Sequence, residues 1–256
     1  MFLIQLALIL LVTPLVSLSL KSNNAVGKVS IVTGASRGIG KGICSELCRA
    51  GYKVYITGTT LEGPLSLQQT KKECESQGFP GSVVPFLCDH RDDAQVSSLF
   101  SHVALESGRL DVLVNNAFQL PPSFADEGSS ALFGSFWDKP MDVWDSLHNV
   151  GLRSHYAATR EAVPLMIETR AKHGGTPLVA MISSFGGVSY TFNVAYGVGK
   201  AGVDRMAKDM AVELKPEGIA TASFWPGVVM TENMRKVVEN GEWEKNVGIP
   251  IEGAER

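Results

Sequence analysis

KVSIVTGASRGIG, residues 28–40, decides the fold. Val29 to Val32 is a short β-branched run of the kind that pleats into a buried strand. It passes without a linker into Gly34, Gly38 and Gly40, spaced Gly-x-x-x-Gly-x-Gly. Ile39, Ile43 and Leu47 then recur every four residues, the stripe of a helix packed on one face. A strand, a glycine-rich turn and a helix start together form a phosphate site. Glycine lets the backbone approach the pyrophosphate, and the helix N-terminus offers N–H donors and a positive dipole. Ser36, Arg37 and Ile39 lie in the same turn.

Outward from that segment, apolar runs alternate with amphipathic ones. Strands are predicted over 53–58, 82–89, 110–117, 177–184 and 219–225, and helices over 39–50, 65–77, 93–106, 143–172 and 194–214. This alternation predicts an α/β fold, a Rossmann-type doubly wound parallel sheet with helices on both faces. Residues 118–140 form a long Pro/Gly/Ser-containing stretch, and loops of that length are usually functional.

A binder of NAD generally carries an acid about 20 residues on, at the end of the second strand. Here that strand ends in Thr57-Gly58-Thr59-Thr60, with no acid, and Glu62 reads as a helix-start residue. Arg37 is a cation placed for a 2′-phosphate. NADP(H) is therefore expected over NAD(H).

A second constellation comprises Ser183, Ser184, Tyr196 and Lys200. Four residues apart on a helix, Tyr196 and Lys200 share a face. An ammonium beside a phenol stabilises the phenolate and lowers its pKa, which suits tyrosine to proton exchange with an alcohol/ketone pair. The serine pair ends the fifth strand, at the carboxyl edge where open α/β sheets take ligands. Gly197, Gly199 and Gly202 weaken this helix by about 1 kcal/mol each relative to alanine, which predicts close approach by a cofactor or partner helix.

The net charge of −3, the pI near 6.0 and the lack of a basic run exclude a nucleic-acid binder. Cys44, Cys48, Cys74 and Cys88 show no CxxC spacing and read as buried free thiols, with no metal site. Residues 2–20 carry no charge. As a helix they would span about 28 Å, close to a hydrocarbon core. Lys21 and Lys28 come after this run and no basic residue precedes it. Residues 1–21 are thus expected to be an anchor in the endoplasmic reticulum membrane, with the catalytic domain (27–256) cytoplasmic. The alternative is a cleaved signal peptide leading to the secretory lumen.

The ordered set TGASRGIG (33–40), NNA (115–117), Asn149, SS (183–184), YGVGK (196–200) and PGVVMT (226–231) resembles the short-chain dehydrogenase/reductase family, over about Lys28 to Met234. The resemblance implies that Asn149 holds a relay water, Ser184 polarises a carbonyl, Tyr196 is the acid/base and Lys200 also binds the ribose. Ser183 is the alternative to Ser184. It further implies Asp89 by the adenine, Asn115 in the cofactor cleft, and Pro226, Gly227 and Thr231 around the nicotinamide. Three departures stand out. Phe118 replaces a glycine of the family's NNAG, and Thr59 stands where a close family member offers an arginine. Only 25 residues follow Thr231, which implies a truncated C-terminal part without the usual last strand. The expected function is NADPH-dependent reduction of a small lipophilic ketone, aldehyde, quinone or steroid-like substrate, or oxidation of the matching alcohol. A homodimer is compatible with it. The rival is a catalytically silent nucleotide-binding or membrane-associated interaction protein, motivated by the short C-terminus.

Overall fold

A computed structural model describes residues 25–239. Six strands, β1 (Val29–Val32), β2 (Lys53–Gly58), β3 (Ser82–Leu87), β4 (Val112–Asn115), β5 (Leu178–Ile182) and β6 (Ala220–Phe224), form one sheet. Their order is β3-β2-β1-β4-β5-β6, and every pairing is parallel. Pro85, opposite Ile56, is tolerated because β3 is an edge strand. The connecting helices are α1 (Gly38–Arg49), α2 (Leu67–Ser76), α3 (Asp93–Ser107), α4 (Met141–His148), α5 (Ser154–His173), α6 (Val194–Leu214) and α7 (Glu232–Glu239).

The period of two along each strand sorts its side chains between two cores. Ile31, Tyr55, Leu113, Val179 and Met181 pack with Leu99, Ala162, Met166 and Val203 of α3, α5 and α6. Val32, Val54, Ile56, Val114 and Ala180 pack with Cys44, Leu47, Leu67 and Cys74 of α1 and α2 on the opposite face. The expected doubly wound sheet is therefore the observed one. The four cysteines are free and buried.

Two elements differ from expectation. The single helix expected over 143–172 is two, α4 and α5, joined by a π-turn at Asn149–Arg153. One extra residue in that turn rotates α5 relative to α4. The helix α7 was not legible in the sequence at all. Thr231 marks its start, accepting a bond from Met234 N–H at 3.2 Å. Among the described residues no helix is long and apolar enough to cross a membrane. The anchor-or-signal segment expected at 1–21 lies outside the described residues, as do residues 240–256.

Candidate active site

Strand order reverses direction at β1: the chain moves outward through β2 and β3, then returns to place β4 on the other side. In an open parallel sheet this reversal leaves a crevice at the carboxyl ends of β1 and β4. A cleft of about 740 Å³ lies there, lined by the glycine turn, the ends of β2 and β3, residues 116–124, Tyr196 and the start of α7.

At the nucleotide end the backbone makes the shape. Gly34 has φ +66°, and a Cβ there would stand 2.7 Å from Ala117 Cα. Ser36, Arg37, Gly38, Ile39 and Gly40 all line the cleft. Asn116 donates from Nδ2 to the carbonyls of Thr33 and Gly34 at 2.9 and 3.0 Å, locking the turn to β4. Asn115, expected in the cleft, is fully buried instead and donates to Thr159 Oγ1 at 2.9 Å. Alternation along β4 puts its neighbour Asn116 on the cleft side.

Arg37 caps the start of α1 in extended conformation, is exposed, and forms no ion pair among the described residues. Thr59 lines the same cleft. Asp89 also lines the cleft, and Arg91 binds it through Nε at 3.0 Å. That bond holds the Asp89 carboxyl below its usual range. Arg91 is a second rim cation, which sequence reasoning missed for want of a motif around it.

The positive end of α1 already holds an anion-like group. Gly38 N–H donates to Glu232 Oε2 at 2.8 Å, and Lys41 Nζ lies 2.9 Å from Glu232 Oε1. Burial pushes Glu232 up, but the bonds from Lys41 and Gly38 outweigh it and leave the carboxyl below its ordinary value. Thr231 lines the cleft just before it, whereas Pro226 and Gly227 do not.

At the reacting end, Tyr196 Oη donates to Ser184 Oγ at 2.9 Å. Ser184 is therefore the serine beside the phenol. Ser183 is buried and bonds the carbonyl of Lys200 at 3.2 Å. Asn193 sets this geometry by capping α6, accepting from Tyr196 N–H at 2.8 Å while donating to Leu132 O at 2.9 Å. Lys200 is buried and donates to Ile182 O at 3.1 Å. Burial lowers its pKa to about 8, opposed by Asp204 one turn on. Tyr196 departs from the expected electrostatics: burial pushes its hydroxyl above the ordinary value, opposed by the bond to Ser184. Neighbouring elements supply two of the expected close approaches to the α6 glycines, His148 of α4 against Gly199 and Leu152 of the π-turn against Gly202.

Asn149 is not brought to this constellation. The π-turn leaves it exposed on another face, beside Asp93 and Arg153. The relay role expected of it rested on the family resemblance, and the π-turn places it elsewhere.

With this geometry in place, the chain belongs to the short-chain dehydrogenase family, a family of oxidoreductases, whose model matches residues 28–242. It is 44% identical over 211 residues to dehydrogenase/reductase SDR family member 1 of Mus musculus, and likewise to that of Homo sapiens. Each match takes in 82% of this chain and 63% of the relative, so the chain spans less than two thirds of the relatives' length. Among solved structures, Pseudomonas aeruginosa RhlG in an NADP active-site complex shares the fold with TM-score 0.76 and 24% identity, over 91% of this chain and 86% of that one. A metagenomic short-chain oxidoreductase in complex with NADP gives TM-score 0.67 and 29% identity, over 80% and 84%.

Proposed function

We propose that this chain is an NADP(H)-dependent carbonyl reductase or alcohol dehydrogenase acting on a small lipophilic ketone, aldehyde, quinone or steroid-like substrate. The observation that carries this reading is the Tyr196–Ser184 bond of 2.9 Å, with buried Lys200 one turn along the same helix and Tyr196 lining the cleft that the glycine turn also lines. The glycine turn suits a pyrophosphate: Gly34, Gly38 and Gly40 line the cleft, and the lack of a Cβ at Gly40, which would meet Gly34 O at 2.4 Å, lets the start of α1 pack close against the turn. Arg37, exposed and lining the cleft with Thr59, supports a 2′-phosphate, as does the metagenomic short-chain oxidoreductase solved with NADP.

A bound nicotinamide supplies or accepts the hydride. Tyr196 gives its hydroxyl proton to the carbonyl oxygen during reduction and takes it back during oxidation. Ser184 Oγ, freed from Tyr196 as the substrate oxygen enters, donates a hydrogen bond to that oxygen and orients it. The Lys200 ammonium favours the phenolate left behind. Phe118, Leu120 and Phe133 face the substrate side and exclude water.

Tyr196→Phe removes the proton donor and keeps most of the packing. Turnover of a lipophilic carbonyl panel with NADPH is expected to fall by about 10²–10⁴-fold. Full activity in that variant would sink the assignment of Tyr196.

A further inference from the structure

The π-turn that carries Asn149 away brings Gly151 inward, buried behind the reacting end. A Cβ at Gly151 would stand 2.9 Å from Phe118 Cδ2 and 3.1 Å from Cε2. The Phe118 ring therefore occupies the space that a side chain at residue 151 would need. From that seat it lies edge-to-face with Tyr196, centroids 6.0 Å apart, and Lys200 Nζ sits 4.8 Å from its centroid. We infer that Phe118 is a positioning residue for Lys200, holding the ammonium against its ring face, and that Gly151 is what admits it. This deepens the proposed function, because it concerns the same Tyr196 and Lys200.

Two rings lie beside Lys200, and Phe118 is the nearer: its centroid is 4.8 Å from Nζ, against 5.8 Å for Tyr196. The Ile182 carbonyl of β5 accepts one N–H at 3.1 Å. On α6 itself, Tyr196 lies one turn before and Asp204 one turn after, and no carboxylate pairs with Lys200 among the described residues. His155 of α5 faces it as a fully buried imidazole; burial first, and the Lys200 charge second, lower its pKa to about 3, so it stays neutral. An ammonium with one carbonyl partner and no carboxylate in ion-pair contact is drawn to the negative face of an aromatic ring. The ring also shields it from water, in keeping with burial as the main cause of its depressed pKa.

The test titrates the Lys200 side-chain amine by heteronuclear NMR in the full chain without added nucleotide, assigned by its loss in Lys200→Arg. Leucine at 118 keeps water out while removing the ring quadrupole. Phe118→Leu should therefore lower the Lys200 pKa by about half a unit, and Phe118→Tyr should leave it in place. Gly151→Ala, by displacing the ring, should shift it in the same direction. Phe118→Leu/Gly151→Ala should shift it no further than Phe118→Leu alone. An unmoved Lys200 titration in folded Phe118→Leu would overturn the inference, as would additive shifts in the double variant. Because no turnover is measured, failure of the proposed reaction would leave this result standing, and the reverse also holds.

Discussion

The two ends of the cleft are made differently. At the nucleotide end the shape is backbone: Gly34 and Gly40 pack within van der Waals contact of Ala117 and Asn116, and the α1 N-terminus supplies the donors. At the reacting end the shape is side chain: Ser184 from the end of β5, Tyr196 and Lys200 from α6, and Phe118 from the loop after β4. A backbone site depends on a few consecutive residues. A side-chain site depends on the relative rotation of elements distant in sequence.

Substitutions at the nucleotide end can break this contrast or sharpen it. Gly40→Ala should have the largest effect, because the added Cβ would meet Gly34 O at 2.4 Å and Asn116 Nδ2 at 2.5 Å. Loss of about 3 kcal/mol in chemical denaturation is expected, with NADPH and NADH binding weakened together. A stability within error of the parent chain would show that the turn yields, and that its shape is not fixed by backbone contact.

Arg37→Ala is a side-chain change at the same end and should be selective. It should weaken NADPH by about 1.5–3 kcal/mol in equilibrium titration while NADH is nearly unaffected, since only the 2′-phosphate contact is charge-assisted. Equal losses for both would mean that Arg37 does not read the phosphate and would shift attention to Arg91.

The smallest expected effect is a gain. Glu232 takes the Gly38 N–H and the Lys41 ammonium that a pyrophosphate would use. Glu232→Gln should tighten NADPH and NADH alike by about 1 kcal/mol, because a neutral amide competes less well than a carboxylate. Calorimetry that found weaker binding for both would place Glu232 among the supports of the bound state instead.

The same contrast explains what could be read in the sequence. The glycine turn was legible because strand, turn and helix start are contiguous in KVSIVTGASRGIG. Tyr196 and Lys200 were legible because one regular helix fixes their shared face. Asn149 was assigned by family resemblance, and the π-turn that carries it away leaves no mark in the apolar pattern of a helix. Asn115 and Asn116 differ only in which way a strand end points, and local composition does not say. The helix α7 was missed since it is only eight residues long and its partner, the N-terminus of α1, lies 194 residues away. The family's usual spacing to the tyrosine favoured Ser183, but the shortened spacing of a close family member favoured Ser184, and Ser184 is the serine that bonds the phenol.

The central claim is that this cleft brings a nicotinamide hydride and the Tyr196 proton to one carbonyl. The most direct measurement tracks label transfer from NADPH deuterated at the reactive carbon, using the full chain and a panel of lipophilic carbonyls. Deuterium in the product alcohol, one equivalent per cofactor oxidised, and loss of both in Tyr196→Phe are the predicted result. Stoichiometric NADPH binding with no label in any product would contradict it and leave a nucleotide-binding protein without this chemistry.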